Sequence, residues 1–212
     1  MSVRIAKSAG FCFGVSRAVE LVEQAASAGK RVATLGPIIH NRHVVNRFEA
    51  MGVRVIEVPE EARPDETVII RSHGVTRDVV ERLEKTGAEI IDATCPFVKR
   101  IHSIVSRAEE EGKLPVIIGT PTHPEVEGIA GWCSDCRVFA SREDLENWAS
   151  SGEINKDSSI CLVCQTTSTE SLWKSCGDFA KKQFTNVKIF DTICRATEYR
   201  QSEAAELSEV CQ

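Results

Sequence analysis

Two short runs, Val68-Ile69-Ile70 and Val116-Ile117-Ile118, are apolar without alternation. A strand that is apolar on both faces has to be covered on both, and a parallel sheet flanked by helices does this most directly. The rest of the sequence fits that demand. β-rich runs at 3–6, 31–35, 53–58, 67–71, 88–92, 115–119, 137–140, 159–164 and 187–191 alternate with helical patterns. Val15, Val19, Val22 and Ala26 repeat at helical spacing, as do Val98, Ile101, Val105 and Ala108. Residues 169–184 predict a helix with Leu172, Cys176, Phe179 and Ala180 on its buried face, and 196–210 predict another. The fold class expected is α/β with parallel sheets.

The pattern also repeats internally. Ile90-Ile91-Asp92-Ala93-Thr94-Cys95 resembles Ile189-Phe190-Asp191-Thr192-Ile193-Cys194, each an apolar strand, an Asp, two residues and a cysteine opening a helix. Cys12 follows the expected strand at 3–6 and also precedes a helix. Three cysteines at equivalent strand-to-helix junctions can converge on one point, because open α/β sheets bind ligands beyond their strand C-termini. The alternative is three small core thiols.

Composition narrows the class. The chain has 212 residues, 42% hydrophobic and 27% charged, with a formal net charge of −5. This is a globular balance, large enough for one big domain or two smaller ones. An acidic chain without a basic block is a poor nucleic-acid binder, and no apolar run is long enough for a signal peptide or a membrane span. The expected compartment is the cytoplasm, with no membrane or nucleic-acid partner. Nine cysteines in such a chain are core residues, ligands or nucleophiles rather than a disulfide framework.

His40, His73 and His123 each lie just past an apolar strand among small or turn residues, where side chains face a cleft. Imidazoles grouped there suit an anion such as a phosphate or diphosphate. The competing reading of each is an exposed loop histidine. His43 and His102 fall within helical runs, and His102 shares a face with Val98 and Val105, as a hydrogen-bonded core histidine would. Beside His123, either Glu125 or Glu127 can relay a proton, and spacing does not separate them. Gln165-Thr166-Thr167 ends another strand with groups able to orient a polar ligand. Cys133/Cys136 and Cys161/Cys164 have zinc-knuckle spacing, but the second pair lies in a strand, where residues three apart face opposite ways. Cys176 fits its helix's buried face, and Cys211 lies near the chain end. No Walker A loop, dinucleotide fingerprint or nucleophile elbow is present.

Seven segments, taken in order, resemble one family. They are Gly10-Phe11-Cys12-Phe13-Gly14-Val15, His40-Asn41, Ser72-His73-Gly74-Val75, Asp92-Ala93-Thr94-Cys95-Pro96, His123-Pro124-Glu125-Val126-Glu127-Gly128, Gln165-Thr166-Thr167 and Asp191-Thr192-Ile193-Cys194. The family is the LytB-type 4-hydroxy-3-methylbut-2-enyl diphosphate reductases, iron–sulfur oxidoreductases. They close the methylerythritol phosphate route to isopentenyl and dimethylallyl diphosphate, and the resemblance runs from Ile5 onward. It implies three α/β units in pseudo-threefold arrangement around a central [4Fe–4S] cluster, one per chain. The cluster ligands would be Cys12, Cys95 and Cys194, with one iron left open. The resemblance further implies that His40, His73, His123 and Thr166 surround the substrate, that Glu125 delivers a proton, and that reduced ferredoxin or flavodoxin supplies electrons. The units expected are 13–94, 95–193, and 1–12 with 194–212. Family members continue into a third unit with a Ser-Ser-Asn motif and a later serine, so the expected third unit is incomplete and the diphosphate cradle partial. Two other readings stand beside this one: an inactive truncated copy or scaffold, and a zinc-stabilised binding module.

Overall fold

A computed structural model describes residues 3–210; Met1, Ser2, Cys211 and Gln212 lie outside the described residues. The chain runs α1 (Phe13–Ser27), β1 (Val32–Leu35), α2 (Arg42–Ala50), β2 (Arg54–Ile56), a 3-10 turn (Pro59–Glu61), β3 (Thr67–Ile70), α3 (Arg77–Glu84) and β4 (Glu89–Asp92). It continues with α4 (Pro96–Glu110), β5 (Leu114–Ile118), α5 (Pro124–Ala130), β6 (Arg137–Phe139), α6 (Arg142–Ser150), β7 (Ser159–Cys164), α7 (Glu170–Gln183), β8 (Asn186–Ile189) and α8 (Arg195–Val210).

The strands form two four-stranded sheets, ordered β2-β1-β3-β4 and β6-β5-β7-β8. Every pairing is parallel. The two orders are the same topology used twice, which is the internal repeat seen in the sequence. Both faces of the first sheet are buried, as the unbroken apolar runs demand. Val32 and Ile69 pack with Ala18, Val22 and Phe48, whereas Ala33, Val68 and Ile70 pack with Val75 and Leu83. In the second sheet Val116, Ile118, Ile160 and Leu162 meet Trp148 and Trp173. On α7 the sequence points to Leu172 and Phe179, but these are only partly buried. Trp173, Cys176, Gly177 and Ala180 fill the buried face.

The chain divides into two compact units. One comprises Phe13–Arg107 with Thr122–Ser134 and holds the first sheet, most of α4, and α5. The other comprises the segment ending at Cys12, Ala108–Pro121 and the residues from Asp135 onward, and holds the second sheet and α8.

One expected strand does not form. Residues 3–6 have no ladder, and Val3 and Ile5 are 88% and 81% exposed. A strand needs a neighbour to bond with, and among the described residues none runs beside this segment. It is fastened to α8 at its downstream end instead: the Lys7 and Ser8 amides donate to the Glu203 carboxylate at 2.6 and 2.7 Å. Those hydrogen bonds, the Ser8 hydroxyl's first among them, hold the Glu203 carboxyl below its ordinary pKa. Among the described residues, no helix is long and apolar enough to cross a membrane.

Leu162, fully buried on β7 between β5 and β8, tests the doubly covered sheet. Leu162→Ala should cost about 2–5 kcal/mol by denaturant titration. Val3→Thr should stay within about 0.5 kcal/mol of wild type. Equal effects from the two would contradict this account of the core.

Candidate functional site

The site residues lie where parallel strands end. After β4, the Asp92 carboxylate accepts from the Thr94 amide at 2.8 Å; after β8, Asp191 accepts from the Ile193 amide at 3.3 Å. This aspartate-capped turn precedes a cysteine each time. The Cys95 amide then donates to the Ser72 carbonyl at 2.9 Å, and the Cys194 amide to the Thr166 carbonyl at 2.8 Å. Ser72 and Thr166 each stand two residues past the neighbouring strand, β3 or β7. A single backbone device therefore seats Cys95 in one unit and Cys194 in the other.

Cys12, Cys95 and Cys194 each immediately precede a helix, α1, α4 or α8. The amides of a helix's first turn lack intrahelical partners, and they favour negative charge such as a metal-bound thiolate. All three cysteines are half-buried, whereas Cys161, Cys164 and Cys176 are fully buried. Burial pushes the Cys161 and Cys176 thiols up to about 11, which leaves them neutral core residues. Cys161 and Cys164 indeed lie in a strand, and Cys133 sits just past α5 with Sγ 3.5 Å from the Ala130 carbonyl. Among the described residues no three His, Cys, Asp or Glu side chains gather closely enough to hold a single metal ion.

The three histidines come together within the first-sheet unit. The ring centroids of His40 and His73 are 4.6 Å apart, and those of His73 and His123 are 6.1 Å apart with an edge-on approach. His40 is held by the N-cap of α2, where Asn41 accepts from the His43 and Val44 amides. His123 is itself the N-cap of α5, its Nδ1 accepting from the Glu125 amide at 3.1 Å. With Nδ1 used as an acceptor, the ring's N–H lies at Nε2 and presents a donor there. Burial lowers the His73 pKa to about 4, and the charges of His40, Arg71 and His123 lower it further. Its Nδ1 is buried without a hydrogen-bond partner.

Glu125 and Glu127, equivalent in the sequence, are separated by the fold. Glu125 is 3% exposed in the first turn of α5, whereas Glu127 faces solvent. Thr166 and Gln165 are each 6% exposed, in the second-sheet unit with Cys12 and Cys194. Gln165 Oε1 accepts from the Thr120 amide at 3.2 Å.

Sequence reasoning missed Arg71, whose signal was a cation directly after an apolar strand. Its guanidinium lies against the loop leaving β1, where a Cβ on Gly36 would stand 2.6 Å from Nη1, and its Nε is buried and unpartnered. His102 is buried as expected but not hydrogen-bonded through Nε2. It stacks on Trp132 at 5.0 Å, and its ring fills the space a Cβ on Gly74 would need, at a turn where φ is +75°.

Gly14, in the first turn of α1, lies directly against Cys95: a Cβ there would stand 2.6 Å from Sγ. Helix propensity alone favours alanine at this position by about 1 kcal/mol. Gly14→Ala should nevertheless destabilise the chain by about 1–3 kcal/mol through overpacking. A denaturation midpoint at or above wild type would show that nothing is crowded there.

His73 and His102, both lowered to about 4, make stability depend on acid. In the unfolded chain each takes up a proton near 6.5, before the native state does. Their contribution is therefore complete above about pH 6.5 and declines as pH falls toward about 4, with a slope of up to about 1.4 kcal/mol per pH unit for each. His102→Phe should flatten the loss of urea stability between pH 7 and 5; an unchanged slope would show that His102 titrates normally.

The profile of the LytB protein family matches residues 3–212. The 4-hydroxy-3-methylbut-2-enyl diphosphate reductase of Caldanaerobacter subterraneus subsp. tengcongensis is 42% identical over 214 residues, covering 99% of this chain and 72% of that protein. The Aquifex aeolicus reductase of the same name is 40% identical, covering 98% of this chain and 71% of its own length. A solved structure of (E)-4-hydroxy-3-methyl-but-2-enyl diphosphate reductase, described as the terminal enzyme of the non-mevalonate pathway, superposes with a TM-score of 0.81 at 40% identity. It covers 97% of this chain and 72% of its own. The corresponding reductase from Plasmodium falciparum gives a TM-score of 0.83 at 27% identity, over 91% of this chain and 61% of that one. With these matches spanning nearly the whole sequence and both sheets, the chain belongs to the LytB family.

Proposed function

We propose that the chain reductively removes the hydroxyl group of 4-hydroxy-3-methylbut-2-enyl diphosphate. Two electrons and two protons are consumed, and water is released with isopentenyl or dimethylallyl diphosphate. The observation that carries this reading is the packed trio His40, His73 and His123, with the buried carboxyl of Glu125 two residues beyond the last ring.

The cysteines fit an iron–sulfur group. Cys12, Cys95 and Cys194 combine partial exposure with a helix N-terminus, and the remaining buried thiols are sealed in the core. We infer one [4Fe–4S] cluster per chain, held by these three, with one iron lacking a protein ligand. When bound, such a group supplies electrons and an iron Lewis acid at the departing oxygen.

The protein's own side chains supply the rest. Nε2–H of His123, oriented by the Nδ1 contact, donates to an anionic oxygen. His73 does so as a neutral ring, because burial among like charges keeps it deprotonated. Arg71 adds the fixed positive charge that a neutral His73 cannot give a diphosphate. Glu125, buried two residues from His123, delivers the proton to the leaving hydroxyl. The Thr166 hydroxyl orients the substrate oxygen. Reduced ferredoxin or flavodoxin is the electron donor in this reading, and the cytoplasm its compartment. This reading groups the chain as 13–94, 95–193, and 1–12 with 194–212, a finer division than the two compact units; the hydrogen bonds from residues 7 and 8 to Glu203 support the last grouping.

Three variants test the proposal in the anaerobically purified chain. Cys95→Ser should lose iron and labile sulfide, since a hydroxyl is a poor replacement for a thiolate. Glu125→Gln should keep both but lose about 10²- to 10⁴-fold in turnover with a chemical reductant, while Glu127→Gln stays near wild type. Full iron retention in Cys95→Ser would remove Cys95 from the ligand set. Wild-type turnover in Glu125→Gln would move the proton path elsewhere.

A further inference from the structure

Two arginines outside the catalytic constellation make the same unusual contact. Arg17, on α1, donates from Nη1 to the Thr94 carbonyl at 3.3 Å and from Nη2 to the Asp92 carbonyl at 3.2 Å. Arg200, on α8, donates from Nη2 to the Gly10 carbonyl at 2.6 Å and from Nε to the Ser8 carbonyl at 3.3 Å. The first pair of carbonyls belongs to the loop that delivers Cys95, the second to the loop that delivers Cys12. Both arginines are half-buried.

We propose that Arg17 and Arg200 are positioning residues for the cysteines: each, from a helix that itself follows a cysteine, clamps the backbone of the loop presenting a different cysteine. Cys12 leads into α1, whose Arg17 holds the loop of Cys95. Cys194 leads into α8, whose Arg200 holds the loop of Cys12.

The physical need is clear at both places. At the end of an edge strand such as β4, or in a segment that joins no sheet, carbonyls lack a ladder partner and still require donors. The carbonyls of residues 92 and 94, like those of 8 and 10, lie two residues apart, within the span of one planar guanidinium fork. A lysine ammonium, a compact point donor, matches such a pair poorly. Other contacts complete each clamp. The Asp92 carboxylate pairs with Lys99 Nζ at 2.6 Å and caps the Thr94 amide; although burial alone would raise its pKa, these hydrogen bonds lower it on balance. Glu203, one helical turn from Arg200, takes the Lys7 and Ser8 amides, so the second loop is bound by its donors and its acceptors together. Each clamp also places a fixed positive charge beside a loop that carries a cysteine.

The inference rests on the ligand reading of Cys12 and Cys95, and it is testable without any bound cluster. In the reduced apo full-length chain, the alkylation rate of each cysteine by iodoacetamide is followed by peptide mass spectrometry. Cys176 serves as a buried internal control. Arg17→Gln should speed alkylation of Cys95 about tenfold, and Arg200→Gln that of Cys12, with Cys194 and Cys176 unchanged. Arg17→Lys and Arg200→Lys should give intermediate rates. After anaerobic reconstitution, both glutamine variants should hold less iron and sulfide than wild type. If Arg17→Gln exposes Cys176 and so reports global unfolding, Arg17→Lys and the Arg200 pair decide the matter by the same rates. Wild-type rates at Cys95 and Cys12, or acceleration spread over every cysteine in folded variants, would overturn the clamp. Iron retention by Cys95→Ser would instead overturn the ligand reading, whatever the arginine variants do.

Discussion

A parallel strand buried on both faces has no room along its length for a reactive side chain. In both sheets the central strands are sealed between helices, so polar and thiol groups with room to react are pushed to the loops beyond the carboxyl ends. His40 follows β1, His73 follows β3, Cys95 follows β4, His123 follows β5, Thr166 follows β7 and Cys194 follows β8. The site residues are thus a consequence of the same burial that stabilises the sheets. Helices starting at these loops add their unpaired amides, and that end of a helix favours anions.

Using one topology twice gives equivalent positions equivalent chemistry. The turn capped by Asp92 or Asp191 recurs, and so does the cysteine amide bonded to Ser72 or Thr166, the latter at nearly the same distance. A duplicated backbone frame explains why the cysteines share their helix-preceding position while the side chains around them differ. Histidines and Arg71 gather in the first-sheet unit; amide and hydroxyl groups take the corresponding places in the second, where Gln165 and Thr166 follow β7.

Much of this was legible from residue order. Continuous apolar runs gave the doubly covered sheets, and the Asp-x-x-Cys repeat located two of the three cysteine junctions. The third was misread locally. Val3 and Ile5 have strand-like chemistry, yet the segment has no strand beside it and is tied to α8 by Glu203 and Arg200. Those contacts join residues nearly two hundred positions apart in the chain, and no window of sequence contains them. The same holds for Arg17, which in sequence is one more charge on an amphipathic helix.

The sequence by itself determined the α/β class, the parallel sheets, the repeat and the set of candidate ligands, because burial period and turn chemistry are local properties of the chain. Only the tertiary structure decided between carboxylates two residues apart, since the direction in which a helix turns its side chains depends on what it packs against. It buried Glu125 and left Glu127 in solvent. It likewise decided that His102 stacks on Trp132 over Gly74, and that His73 is surrounded by His40, His123 and Arg71 and kept neutral. Charge, desolvation and crowding act through space between residues far apart in the chain, and folding alone brings those residues within reach.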